Sequence, residues 1–145
     1  MRRIACAATA AALLLTACGR SSAGSEFVAR ANRICAQADA ELDALPAVKP
    51  TIGSYDRAQR AEVTIVNVEI GALSALKPPR GRRAAFRRVI ANARADVGVS
   101  ELLLEALHNG QHAKLRALVG AAHALDERTE AVTARLRVGQ CGRSD

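Results

Sequence analysis

The stretch LRALVGAAHALDERTEAVTARL, residues 115–136, decides the fold class. Its apolar and small residues recur at steps of three and four, the spacing that places side chains on one face of an α-helix. The residues on this face are Leu115, Leu118, Ala122, Leu125, Thr129, Val132 and Leu136. An apolar face of this kind has to be buried, so the stretch predicts a helix that packs against other helices.

Three stretches upstream have the same period. They predict helices over 26–45, over 55–76, and from the break at 77–81 to about residue 108, where Asn109-Gly110 is a stop signal. Ser25 and Ser54 are the predicted N-caps of the first two helices. The second helix has the widest apolar face and is predicted to be the most buried.

Four amphipathic helices joined by short links predict an all-α fold, an antiparallel up-down-up-down four-helix bundle over 26–138. Small residues on the predicted faces would let the helices approach closely, and no alternating β-branched run suggests strands. The alternative architecture is a three-helix core with a mobile first helix.

The N-terminal segment has the features of an export signal. Two arginines precede an uncharged apolar run, 4–15, which is too short to span a bilayer because a spanning helix needs about 20 residues. The run ends on Leu15, Thr16 and Ala17, followed by Cys18. These four residues resemble the lipobox of bacterial lipoproteins.

The resemblance implies a defined maturation. A diacylglyceryl group is attached to Cys18, the chain is cut between Ala17 and Cys18, and residues 1–17 leave as the signal peptide. Residues 18–25 would then be a flexible lipidated tether, and the protein would sit on the extracytoplasmic face of the cell membrane. Two acyl chains give stable anchoring where one does not. The alternatives are an ordinary secretory signal that contains a cysteine and an uncleaved membrane anchor.

Two cysteines remain after one leaves with the signal and Cys18 takes the lipid. Export places Cys35 and Cys141 in a disulfide-permissive compartment. In an up-down bundle the last helix ends beside the start of the first, and Gly139 would let the tail, 139–145, fold back far enough for the two to meet. We therefore predict a Cys35–Cys141 disulfide. Two free thiols or a metal pair are the alternatives, and no nearby histidine supports a metal.

A wider resemblance covers most of the mature chain. Its motifs are a phenylalanine with A-N-x-I-C in the first helix, L-x-P-P before a later helix and a terminal C-G. They are formed by Phe27, Ala31, Asn32, Ile34, Cys35, Leu76, Pro78, Pro79, Cys141 and Gly142. The combination is similar to small exported helical lipoproteins of actinobacteria, largely of unknown function. The resemblance implies the bundle and the disulfide and brings no catalytic residues.

A basic cluster opens the third predicted helix. It consists of Arg80, Arg82, Arg83, Arg87 and Arg88. The up-down topology places it at the same end as the lipid, which predicts contact with anionic lipid headgroups, each contributing about 1 kcal/mol near the surface. The alternative is an ordinary solvated helix face.

Composition argues against several kinds of activity. The net charge is +7, but Phe27, Tyr55 and Phe86 are the only aromatic residues, which disfavours stacking on nucleic acids and aromatic-walled ligand pockets. His108 and His112 have a metal-ligand spacing that Asn109-Gly110 interrupts. No nucleophile motif or phosphate loop is present, so we predict no enzyme, no cofactor and no metal.

These observations favour a non-enzymatic protein-interaction module of the cell envelope. The alternative is a small-molecule or lipid carrier with an apolar cavity inside the bundle, and a third interpretation is a passive envelope spacer. A continuous cavity in the bundle would favour the carrier. The residues that would line it are Ile65, Val66, Ile70, Val97 and Leu104.

Overall fold

A computed structural model describes the backbone of residues 18–142 and the side chains of residues 23–141. The predicted signal peptide, 1–17, with its lipobox residues Leu15, Thr16 and Ala17, lies outside the described residues, as does the side chain of Cys18. The described part is helical, without strands. Its elements are α1 (Cys18–Asp43), α2 (Ile52–Ser74), a 3₁₀ turn (Arg80–Arg82), α3 (Arg83–His108), α4 (His112–Leu136) and a tail 3₁₀ turn (Gly139–Gly142). None of these helices is long and apolar enough to cross a membrane.

The first helix begins earlier than the sequence predicts. It starts at Cys18, so residues 18–25, for which the sequence predicts a flexible tether, are the first turns of α1 in the structure. No proline interrupts this stretch, and a helix already held by the buried Phe27 can extend toward the N-terminus. For the same reason Ser25 lies inside the helix rather than at its cap. The helix ends at Asp43, shortly before Pro46, a residue that disfavours helical backbone in its predecessor.

The second helix also starts earlier, at Ile52. Its N-cap is Thr51, whose side-chain oxygen accepts a hydrogen bond from the backbone N–H of Ser54 at 3.2 Å. The predicted cap, Ser54, lies in the first turn, and its hydroxyl accepts from the N–H of Lys49 at 2.9 Å. Ser54 therefore fixes the α1–α2 linker onto the helix that follows it.

Consecutive helices pack against one another, and all four contribute to one hydrophobic core. In its centre the rings of Phe27 and Phe86 meet edge to face, with centroids 5.0 Å apart. The buried members of this core are Phe27, Ala31, Cys35, Ile70, Leu73, Phe86, Val89, Ile90, Leu136 and Val138. The all-α four-helix prediction is confirmed.

The helix faces agree with the sequence period, with one exception. Every residue of the predicted α4 face is buried or half-buried. The prediction that the second helix is the most buried is wrong, because α3 has five buried residues against three in α2. Val68 of α2, assigned to its apolar face, is 65% exposed.

The chain reverses at Arg137 after α4. Arg137 adopts a left-handed conformation with φ 60°, and the N–H of Val138 donates to the carbonyl of Thr133 at 3.0 Å, which closes the helix end. Val138 is fully buried, so it anchors the turn in the core. The fold-back occurs at Arg137 rather than at Gly139, whose φ is not positive.

Candidate functional site

The tail is bonded to the first helix. Cys35 and Cys141 form a disulfide across 106 residues, with Cα atoms 5.0 Å apart, which confirms the predicted pairing. Asn32 adds two hydrogen bonds beside it: its Nδ2 donates to the carbonyl of Arg137, and its Oδ1 accepts from the N–H of Gln140, both at 3.4 Å. The Asn-x-x-Cys pair of α1 thus holds the tail at two points.

Glu69 of α2 faces this disulfide. Its carboxylate and the sulfurs of Cys35 and Cys141 lie within 4.8 Å of one another, the only such set of three candidate metal ligands among the described residues. The two sulfurs are bonded to each other, so they do not act as thiolate ligands in this state. Burial, and then the charge of Asp39, raise the pKa of Glu69 to about 7. Glu69 is therefore a carboxyl that can be neutral near physiological pH.

The predicted basic cluster divides into residues with structural contacts and residues exposed to solvent. Arg82 is half-buried, and its Nη1 donates to the carbonyls of Gly24 and Leu136 at 3.3 and 3.5 Å, linking α1, α3 and α4. Arg83 donates from Nε to the carbonyl of Pro78 at 3.3 Å. Arg80, Arg87 and Arg88 are exposed.

A groove of about 650 Å³ lies beside this cluster, between α3 and the end of α2. We call it the basic groove. Phe86 and Ile90 form its buried floor. Three arginines line it: Arg83 and Arg87 from the predicted cluster, and Arg94, which lies about two helical turns beyond that cluster.

A second groove, of about 620 Å³, is mostly apolar. It lies where the α1–α2 linker and the start of α2 meet the end of α3 and the start of α4. We call it the apolar groove, and it is lined by Val48, Lys49, Pro50, Thr51, Ile52, Tyr55, Leu103, Leu107, Leu115 and Val119. Four of the six exposed large hydrophobic residues in the described part belong to it. Exposed apolar side chains gathered in one place mark interaction sites.

A third pocket, of about 480 Å³ and partly open to solvent, is lined by residues of all four helices. Its carboxylates are Asp39, Asp43, Glu62, Asp96 and Asp126. Burial together with the charge of Asp96 raises the pKa of Glu62, and burial together with the charge of Asp126 raises that of Asp96. The buried Gln59 donates from Nε2 to Glu62 at 3.3 Å.

The apolar cavity considered for a carrier would involve different residues. Ile70 and Leu104 are buried, and Val66 and Val97 pack against the core. These side chains are therefore engaged in packing, and the third pocket, where all four helices meet, has five carboxylates in its lining.

The histidines lie at the helix ends and on the surface. His108 ends α3, and its Nε2 lies 3.6 Å from Asp56 of α2. His112 begins α4 after the Asn109-Gly110 turn, in which Gly110 has φ +62°. His123 is exposed and lies 3.5 Å from Glu127. The turn separates the i,i+4 pair as predicted.

No protein-family model, curated protein or solved structure matches the chain.

Proposed function

We propose that this protein is an exported lipoprotein of the bacterial cell envelope, anchored through Cys18, that acts by binding and not by catalysis. The lipobox resemblance of residues 15–18 supports the anchor. The Cys35–Cys141 disulfide supports export, because such bonds persist in oxidising compartments. The anchor would keep the bundle at the extracytoplasmic face of the membrane.

We infer that the helices alternate in direction. The core takes residues 27–35 from the middle of α1, and further residues from the second half of α2, the first half of α3 and the last turn of α4. Short links between packed helices favour the same up-down-up-down arrangement. In this arrangement the apolar groove lies at the end of the bundle away from Cys18, where it faces outward from the membrane.

The apolar groove is the observation that carries the binding function. Its occupant in this proposal is an apolar helical segment of another envelope protein, laid into the groove by its hydrophobic face. Lys49 is the only charged residue of the lining within residues 23–141, so a carboxylate beside the apolar face of the partner would complement it.

The second candidate function is that of a carrier, in which the same groove holds an apolar small molecule or lipid. The volume of about 620 Å³ favours it, because ligand pockets typically measure about 300–1,000 Å³. The carrier would use this surface groove, since the interior residues expected to line a cavity are packed.

Site-specific photocrosslinking in intact cells tests the proposal. A photoreactive residue at Val119 in the groove is compared with one at Val68, a similarly exposed valine outside it (59% and 65% exposed). We expect one protein adduct from Val119 and none from Val68. Adding Ile52→Asp should reduce the yield about tenfold, because a charge would then enter the apolar contact.

Two results would contradict the protein-partner proposal. Equal adducts from Val119 and Val68 would indicate a non-specific encounter. Absence of any protein adduct, with an apolar molecule recovered from the purified chain and lost on Ile52→Asp, would establish the carrier instead.

A further inference from the structure

The basic groove combines guanidinium groups with an apolar floor. Arg83, Arg87 and Arg94 stand on one side of α3, because steps of four and seven residues return to nearly the same direction around a helix. They form a row about 16 Å long. Between them Phe86 and Ile90 are 3% and 8% exposed and form a packed floor. Among the side chains that the structure describes, none that lines the groove is acidic.

All three arginines have N–H groups available to a ligand. Arg83 donates from Nε to the carbonyl of Pro78, which fixes its position and leaves its two Nη groups. Within residues 23–141, Arg87 and Arg94 are exposed and make neither a hydrogen bond nor an ion pair. The half-buried Leu76 and Pro78 extend the apolar surface on the α2 side.

We propose that the basic groove binds one anionic phospholipid. Guanidinium groups bind phosphate oxygens through paired N–H donors, and Arg83 and Arg87, one helical turn apart, can hold one phosphate between them. The first part of an acyl chain then lies on Phe86 and Ile90, and Arg94 contacts an oxygen farther along the lipid. A phosphate alone would leave the apolar floor uncovered, and an uncharged lipid would leave the arginines unpaired.

This binding site differs from a basic surface resting on a membrane. Binding of a basic surface to a membrane depends on total charge, so every arginine at the basic end of the bundle would contribute equally to the binding. Binding in the groove depends on which side of α3 an arginine lies on. Arg88 lies roughly 100° or more around the helix from each of the three groove arginines. Arg88 is therefore a control that removes the same charge from the same helix without touching the groove.

That the lipid comes from the surrounding membrane depends on the proposed membrane anchoring, whereas the ability of the groove to bind the lipid does not. The full chain, purified from an expressing bacterium in non-ionic detergent, is titrated with dihexanoyl phosphatidylglycerol and followed by native mass spectrometry. We expect one lipid per chain, and at least tenfold weaker binding of the zwitterionic dihexanoyl phosphatidylcholine. Arg87→Ala and Arg94→Ala should each weaken binding about tenfold, as for the loss of a charge-assisted hydrogen bond. Arg88→Ala should change it less than twofold.

Three results would overturn the inference. Equal binding of the two lipids would show that the arginines do not recognise the anionic headgroup. A loss of affinity in Arg88→Ala as large as in Arg87→Ala and Arg94→Ala would show that the lipid is bound only by diffuse charge attraction. If inorganic phosphate binds as tightly as the lipid, the apolar floor does not contribute to binding. Thermal unfolding of the three variants, expected to be alike, separates loss of binding from loss of folding. A chain found to lack the lipid anchor would still be expected to bind the anionic lipid in this assay.

Discussion

Reducing the Cys35–Cys141 disulfide should lower the free energy of unfolding by about 4–5 kcal/mol. The bond closes a loop of 106 residues that includes nearly the whole bundle, so it removes much of the conformational freedom of the unfolded chain. Its loss also releases the tail 3₁₀ turn, which packs against both α1 and α4. The effect is measured by urea unfolding with and without a dithiol reductant.

A double variant, Cys35→Ala/Cys141→Ala, provides the control. It should unfold at the midpoint of the reduced protein, and reductant should leave it unchanged. An unfolding midpoint that is the same for oxidised and reduced wild-type protein would contradict the stabilising role of the bond.

Raising the pH from about 5 to 8 should destabilise the bundle, and Glu69 should account for most of the change. The pKa of Glu69 is about 7 in the folded protein against the ordinary 4.5, so the folded state retains a proton that the unfolded state loses. The contribution of Glu69 to the free energy of unfolding is therefore fully present below pH 4.5 and is lost as the pH rises through 7. Because Glu69 is only half-buried, solvent screening reduces the effect, and we expect the free energy of unfolding to fall by about 2 kcal/mol.

Glu69→Gln replaces the carboxyl by a neutral group of the same shape. The variant should be more stable than the wild type at pH 8, and most of the slope between pH 5 and 8 should disappear from its urea unfolding curves. Glu101→Gln, at an exposed position of α3, removes the same charge and should keep the slope. If Glu69→Gln retains the full slope, the carboxyl beside the disulfide is not its origin.

Apolar spacing was sufficient to predict the helices because each face repeats over several turns. The α4 face is an example, with every one of its seven residues buried or half-buried. Helix starts were harder to predict, because Ser25 and Ser54 are good caps in isolation. The structure caps α2 with Thr51 and extends α1 past Ser25, choices that depend on tertiary contacts and on the absence of a proline.

The half-buried carboxylates show where sequence reasoning fails. Each of four lies one residue from the predicted apolar face: Asp39 beside Ala38, Glu69 beside Ile70, Asp96 beside Val97 and Asp126 beside Leu125. Such positions are at the edge of a helix face, since one residue turns the direction by about 100°. Whether an edge faces inward depends on how the neighbouring helix packs. Period alone therefore cannot distinguish a buried carboxylate from a solvated one.

The sequence predicts the arginines as a cluster but does not predict on which side of α3 each of them lies. The predicted cluster consists of arginines that are neighbours in sequence, 80–88, whereas the basic groove takes Arg83, Arg87 and Arg94 from one side of α3. The positions of Phe86 and Ile90, both on the predicted face, could have indicated that side. The contact of Arg82 with two backbone carbonyls required the three-dimensional arrangement and had no sequence signal.

The intact mass of the protein extracted from the bacterial membrane determines whether Cys18 is the lipidated N-terminus. We predict a chain that begins at Cys18, lacks residues 1–17 and carries a diacylglyceryl group on Cys18. Cys6→Ser should give the same mature mass, because Cys6 leaves with the signal. Cys18→Ser should yield no lipidated chain. A wild-type chain that retains residues 1–17, or that begins elsewhere and carries no lipid, would contradict the account.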